Sequence, residues 1–449
     1  MTSTVDRATY DDDLFIRMHR ALGIPVVSQV IWRLTTPLGD DELHRLGDRL
    51  RKTPISRLLR GIKVPLARDH WVAAPDRSGT VHSDPELADG EILDWIERAG
   101  DVRFDIAAGP VWKLRAAALT SGGGIVSLCS SHAVGDGWLG GVSLMRALAT
   151  ESMTPYAPGD PSLIDDVRDA AGQAAAIAGN LGGLVRDKLA HRSAPADEPV
   201  VTSASTPPPD TDGLAAGPAR TPLAIVSVPG EEWRRTATEA GGTSNALFVG
   251  IVIGLIVSAG RATWDDRVRV SVPMSLRPTG DDAAADTRAN STTGITLDVP
   301  AALSRDRDLT SIRALARDAY RASGTHPSAL LRLQPLMQAL PDAAVVGLSR
   351  NAATPLALAS SGGSVDPVFA GLGDPARVGA VASRAATQGV SPARLAQLRG
   401  GIAAWFNDAG DIATISVSGL DPNAFPTSDS IASSIQNECA RWGLTTSSW

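Results

Sequence analysis

The chain is short of several things, and each shortage excludes a class of protein. Its 449 residues include only two cysteines, Cys129 and Cys439, far apart in sequence. That excludes a disulfide framework and a cysteine metal cluster, and it points to a reducing cytoplasm. Lysine is scarce, at four of the 42 basic residues, a bias of codon composition rather than of function. Excess positive charge is missing: the net charge is -7, which argues against nucleic acid as a partner. Long apolar runs are missing too. The most apolar stretch, Ala246 to Gly260, has 15 residues. As a helix it spans about 22 Å, short of the roughly 30 Å of a bilayer core. Its Gly250 and Gly254 read as close helix packing inside a soluble domain. The N-terminus is polar and acidic (Asp6, Asp11, Asp12, Asp13) and lacks the apolar core of a signal peptide. There is no G-x-S-x-G nucleophile elbow, no G-x-x-x-x-G-K phosphate loop, no H-E-x-x-H and no C-x-x-C. His19, His44, His70, His82, His191 and His326 have no partners at metal-ligand spacing and read as surface or packing residues. No metal site is expected.

What is present is an alternation of strands and helices. The length predicts two domains of roughly 200 residues. Gln29–Leu34 reads as a strand, and Asp40–Leu50 as a helix with Leu43, Leu46 and Leu50 on one face. Val111–Leu119 and Ile125–His132 read as a hairpin around Ser121-Gly122-Gly123-Gly124. Leu139, Val142, Met145 and Leu148 then recur at helical spacing, and Leu163 to Leu189 reads as one amphipathic helix. Residues 193–222 are rich in Pro, Ala, Ser and Thr, an extended or disordered linker. The boundaries are therefore 1–192, a linker at 193–222, and 223–449. In the second part, Ser244 is placed to cap the apolar helix. Arg267–Val272 and Thr293–Val299 read as strands, and Leu309–Ser323 and Ser328–Leu340 as helices. Ile402–Phe406 and Ile412–Ser418 read as a hairpin and Ser428–Trp442 as a last helix, while 352–390 give no clear pattern. Arg57 and Arg60 read by default as a solvated helix face, with a role in holding the N-terminal half together as the alternative, and Cys129 is expected in the core.

The run Ser131-His132-Ala133-Val134-Gly135-Asp136-Gly137 carries the chemistry. It places an imidazole at a strand end, before a turn and a helix, where it can face a cleft. A histidine near its ordinary pKa accepts a proton from a hydroxyl or amine at neutral pH. Gly135 and Gly137 permit positive φ and close backbone approach. The N–H groups and dipole at the helix start can stabilise a developing oxyanion. Asp136 either orients the imidazole or pairs with an arginine; spacing leaves both open.

These residues resemble the H-H-x-x-x-D-G motif of the CoA-dependent acyltransferase superfamily: chloramphenicol acetyltransferase, condensation domains of nonribosomal peptide synthetases, and wax ester synthase/diacylglycerol acyltransferases. Other matches fall in order. Gly109-Pro110-Val111-Trp112 is similar to the G-P-x-W of wax ester synthases, and Val272 to Pro278, with Arg277, to the P-x-x-x-R-P of condensation domains. Asn290 follows as their asparagine does, Thr243-Ser244-Asn245 resembles a second wax ester synthase signature, and Asp13 to Phe15 their opening segment.

The resemblance implies an α/β (α+β layered) fold: two chloramphenicol acetyltransferase-like domains in a V-shaped pseudo-dimer around a central tunnel. It implies His132 as the general base and Asp136 as a structural partner of Arg277, with Gly135 and Gly137 shaping the loop. Ser131, Trp138, Asn245, Ser275, Asn290, Ser360 and Ser361 are expected to line the substrate. No cofactor is expected to stay bound. The donor would be acyl-CoA or a phosphopantetheinyl carrier protein, and the acceptor a small molecule. Ser131 stands where the first histidine is usual, and Ala246 where wax ester synthases have an aspartate. Two other functions therefore stand beside an acyltransferase: a stand-alone condensation enzyme taking acyl or peptidyl carrier proteins, and a non-catalytic scaffold with a degenerate fold.

Overall fold

The strand Val26–Leu34 alternates between buried and half-buried side chains, as a strand covered unequally on its two faces does. It is the second strand of a five-stranded sheet in the order Val378–Thr387, Val26–Leu34, Gly124–Ser131, Trp112–Ala118, Gly79–Ser83. Gly124–Ser131 is central and buried throughout, and it pairs antiparallel with both neighbours. A seven-stranded sheet runs in the order Thr292–Pro300, Arg267–Ser275, Ala357–Ser364, Ile402–Asp408, Ile412–Gly419, Leu223–Pro229, Ser447–Ser448. A small sheet joins Asp6–Arg7, His70–Ala73 and Arg57–Arg60. The structure is a computed structural model and describes residues 4–149, 153–190, 200–202, 211, 213–278, 286–325, 329–349 and 354–449. Two helix-rich α/β lobes result, one around each large sheet, each with its own apolar core.

The sheets do not divide where the sequence does. Val378–Thr387 belongs to the second half of the chain yet pairs with Val26–Leu34 over its full length. Its small residues let it lie against the other sheet as well. The Thr414 hydroxyl donates to the Val381 carbonyl at 2.6 Å, and Asn407 Nδ2 donates to Ser383 Oγ at 2.9 Å. The patternless stretch 352–390 thus contains two strands, Ala357–Ser364 and Val378–Thr387. Alternation is hidden there because both faces are covered by small side chains. Most of 193–222 lies outside the described residues, but Val201 forms a bridge to Val268 of the large sheet.

The apolar helix Ser244–Ser258 is buried from Ala246 to Ile256. A helix apolar all round belongs inside a core. Its two glycines face the helix Ser428–Arg441 and its end: a Cβ on Gly254 would collide with the Glu438 carboxylate, and one on Gly250 would lie 3.1 Å from Trp442. No single described helix is long and apolar enough to cross a membrane; this helix and Gly230–Glu239 pass such a test only as a pair bent by 88°. Thr243, not Ser244, is the cap, its hydroxyl accepting from the Ala246 N–H at 3.3 Å. Ser244 is already the first helical residue, so the turn after Gly241-Gly242 ends one residue earlier than the sequence suggests.

Arg57 and Arg60 lie on the strand Arg57–Arg60 rather than on a helix. Arg57 is wholly buried. Its guanidinium donates to the carbonyls of Val134 at 3.0 Å and Thr287 at 2.8 Å, and pairs with Asp6 at 3.1 Å. A short strand with apolar Leu58 and Leu59 between two arginines has the same polar pattern as an exposed helix turn, and only its burial separates the two.

Candidate functional site around His132

The strand Gly124–Ser131 delivers His132 to a turn, Ala133 to Val134, before the helix Gly137–Leu148. The His132 N–H donates to the Val26 carbonyl at 2.9 Å, which fixes the backbone to the neighbouring strand. The imidazole is half-buried and stacks on Phe15, with ring centroids 3.8 Å apart and planes 15° from parallel. Phe15 comes from the helix Tyr10–Arg20, opened by a Thr9–Asp12 capping box.

Asn290 sets the tautomer of His132. Its Nδ2 is surrounded by acceptors: Asp12 Oδ1 at 3.1 Å, the His132 carbonyl at 3.1 Å and the Ala133 carbonyl at 3.4 Å. The amide oxygen therefore faces the imidazole and accepts from His132 Nδ1–H at 3.1 Å. The proton sits on Nδ1, and Nε2 keeps its lone pair. Burial lowers the His132 pKa, an effect offset in part by the charge of Asp136 and by hydrogen bonds to its own backbone and Asn290. The ring is neutral at neutral pH, which is the form that accepts a proton.

Asn290 is itself held by Asp12, a wholly buried carboxylate. Asp12 Oδ1 accepts from the Asn290 N–H at 2.6 Å, and Oδ2 accepts from Thr9 N–H at 2.7 Å and Trp71 Nε1–H at 3.4 Å. Burial raises its pKa to about 6 against these hydrogen bonds and the charge of Arg57. Asp12 escaped the sequence reading, although its doubled place in a T-x-x-D capping box was the available signal.

Asp136 does not touch the imidazole. Its Oδ2 accepts from Arg277 Nη2 at 2.9 Å and from the Ser291 N–H at 3.1 Å, while Oδ1 caps the helix at the Leu139 N–H, 2.9 Å away. Arg277 also donates to the carbonyls of Arg288 and Ala289, lies 3.3 Å from Asp286 and sits over the Trp138 ring at 4.5 Å. The carboxylate of Asp136 thus already occupies the helix start that the sequence offered to an oxyanion. Neither Gly135 nor Gly137 has positive φ. A Cβ on Gly135 would press on Leu139 at 3.0 Å, whereas one on Gly137 would meet open space.

The other expected lining residues divide. Asn290 is a wholly buried holder of His132 rather than an open lining group. Trp138 stacks on Arg277, and Ser131 is buried within the central strand. Ser275 is exposed, its hydroxyl accepting from the Arg277 N–H at 3.3 Å. Ser360 and Ser361 are half-buried beside a bulge in Ala357–Ser364, where the Ser361 hydroxyl accepts from the Gly363 N–H at 3.1 Å. Asn245 is exposed in the first turn of Ser244–Ser258 and makes no contact with this cluster among the described residues. Cys129 is buried, facing Ala99 rather than the imidazole, and its thiol is pushed up to about 11 by burial. His191 and His326 lie outside the described residues.

The architecture has close counterparts. The first condensation domain of the calcium-dependent antibiotic synthetase superposes with a TM-score of 0.56 at 14% identity, over 98% of this chain and 96% of that one. The wax ester synthase/diacylglycerol acyltransferase from Marinobacter aquaeolei VT8 gives 0.53 at 14%, over 97% and 98%. The fold is the one these two structures share. Polyketide synthase associated protein 5 from Mycobacterium tuberculosis shares this fold, with a TM-score of 0.52 at 13% identity over 98% and 99%. No protein-family model matches the sequence, and no curated protein is similar to it in sequence. At identities this low the fold is the common property.

Proposed function

We propose that this protein is an acyltransferase that moves an acyl group from a thioester to a hydroxyl or amine acceptor, with His132 as the base. The observation that carries this is the orientation of His132. Asn290 holds the proton on Nδ1, so Nε2 presents a lone pair, and burial keeps the ring neutral at neutral pH.

In the reaction Nε2 takes the proton of the acceptor hydroxyl or amine as its oxygen or nitrogen attacks the thioester carbonyl carbon. A tetrahedral intermediate forms. Its collapse breaks the carbon–sulfur bond, and the imidazolium returns the proton to the departing thiolate. The products are an ester or amide and a free thiol, with no covalent enzyme intermediate. Coenzyme A or the phosphopantetheine arm of a carrier protein supplies the thiol. Asp136 and Arg277 hold the two lobes in register around this point without touching the reacting atoms.

His132→Ala tests the proposal. Turnover of the wild type and its loss in the variant, with thermal unfolding unchanged, is the expected result; full activity in the variant overturns it. Acyl loss from a loaded carrier protein, read by intact mass, against thiol release from acyl-CoA identifies the donor.

A further inference from the structure

Arg384 is a buried cation with no hydrogen-bonded anion among the described residues. It lies on the strand Val378–Thr387 and is 6% exposed. Its Nε–H donates to Gln29 Oε1 at 2.7 Å. Gln29 is locked in that orientation, because its Nε2 donates to the Ile96 carbonyl at 3.0 Å and to Ser127 Oγ at 2.9 Å. The two terminal nitrogens, Nη1 and Nη2, donate to no group and lie within ion-pair distance of no carboxylate among the described residues; the Glu97 carboxylate acts on the guanidinium only through space. A buried charge in that condition is strongly disfavoured unless something compensates it.

The terminal nitrogens face a cavity of about 700 Å³, within the range of small-molecule sites. Gly100 lines the same cavity, and a Cβ there would lie 2.5 Å from Arg384 Nη2, so the missing side chain is what leaves the guanidinium open. Phe104 supplies an apolar wall. Arg103 also lines the cavity, exposed and without an ion pair among the described residues, and Arg220 pairs with the exposed Asp101 at 3.2 Å.

None of the residues lining the cavity belongs to the His132 cluster, which the cavity approaches at one end. His19, one helical turn beyond Phe15, lines it. Gln29 stands three residues, about 10 Å, along its strand from Val26, whose carbonyl accepts the His132 N–H.

We propose that this cavity binds a small molecule through a carboxylate, which takes Nη1 and Nη2 of Arg384 as a two-pronged pair, and that this molecule is the acyl acceptor. A planar carboxylate matches the open edge of a guanidinium. Glu97 offsets the cation only through space, and one ligand carboxylate supplies the direct pairing it lacks. A phosphate dianion would bring a second charge beside Glu97, a half-buried carboxyl on the same cavity. The acceptor role rests on the acyl-transfer proposal; the carboxylate site does not, and binding is measurable without turnover.

Calorimetric titration of the full chain with acetate and benzoate, against acetamide and benzamide as neutral isosteres, tests the site. Wild type binds the acids and not the amides. Arg384→Gln weakens acid binding at least tenfold, and Arg103→Ala, at an exposed position, weakens it less. His132→Ala leaves it unchanged, so a failure of the catalytic proposal does not register here. In wild-type protein with labelled arginine, benzoate shifts one buried guanidinium resonance, a measurement that needs no variant to fold. Three results would each overturn the proposal: no acid binding to wild type, equal binding to Arg384→Gln, or inorganic phosphate or coenzyme A binding Arg384 in preference to benzoate. With the site established, carboxylated acceptors should turn over at least tenfold faster than their amides; equal rates remove the acceptor role alone.

Discussion

Arg277 reaches Asp136 from 141 positions away in sequence, Nη2 to Oδ2 at 2.9 Å, with side-chain exposures of 1% and 4%. The same carboxylate caps the helix after His132 and takes the Ser291 N–H. One side chain thereby ties the His132 loop to both strands of the neighbouring hairpin, Arg267–Ser275 and Thr292–Pro300.

Breaking that pair leaves a buried charge unmatched. Arg277→Met should destabilise the protein by about 3–5 kcal/mol in chemical denaturation. The double variant Asp136→Asn/Arg277→Met should lose less than the sum of the single losses, because the second change removes the orphaned charge. Additive losses would show that the pair is not coupled.

Asn290→Ala removes the acceptor that holds the proton on His132 Nδ1. The expected outcome is a fall in kcat of about 10²-fold or more with KM little changed. Asn290→Asp sets a negative charge at the same place and favours the imidazolium. Its acid limb in the kcat/KM profile should move to higher pH than that of wild type. Steady-state kinetics across pH separates this from a general loss of folding, which would not move the limb.

In wild type the acid limb of kcat/KM should have its midpoint below 6.5. Burial lowers the His132 pKa from that ordinary value, so the neutral base persists to more acid conditions than a free imidazole would. A midpoint above 6.5 would contradict the environment described for the ring.

Asp12 acts on stability in the opposite sense. Its pKa is raised from 3.8 to about 6, so between those values the native state binds a proton that the unfolded chain does not. Its contribution is present in acid and is lost as pH rises through about 6. The thermal midpoint of Asp12→Asn should therefore depend less on pH between about 4 and 6 than that of wild type, measured by calorimetry in matched buffers.

Gly254→Leu places a side chain where Glu438 already lies, and Glu438 is held by Arg441 at 2.7 Å and by Trp442 Nε1 at 3.1 Å. Overpacking of about 1–3 kcal/mol is expected in urea denaturation. An unchanged midpoint would mean that the glycine pair is not buried against this helix.

Local pattern went a long way in this chain. The helix Asp40–Leu50 has the limits its leucine spacing predicts, and the hairpin around Ser121–Gly124 forms as its turn residues require. Pattern failed where a residue's surroundings come from afar. Arg57 on a short polar-looking strand is wholly buried because three segments converge on its guanidinium. The strand Val378–Thr387 carries no alternation because sheets from both lobes cover it.

By itself the sequence determined the elements, the strand–turn–helix setting of His132 and the absence of other nucleophile or metal motifs, since these depend on neighbours within a few residues. It also placed Asp136 and Arg277 as partners, through the resemblance. Tertiary structure decided the rest: that Asn290 fixes the His132 tautomer from 158 positions away, that Asp12 fixes Asn290, and that Arg384 is left on a cavity with terminal nitrogens that donate to no group among the described residues. Hydrogen-bond direction and burial are properties of assembled surfaces, and no stretch of the chain carries them alone.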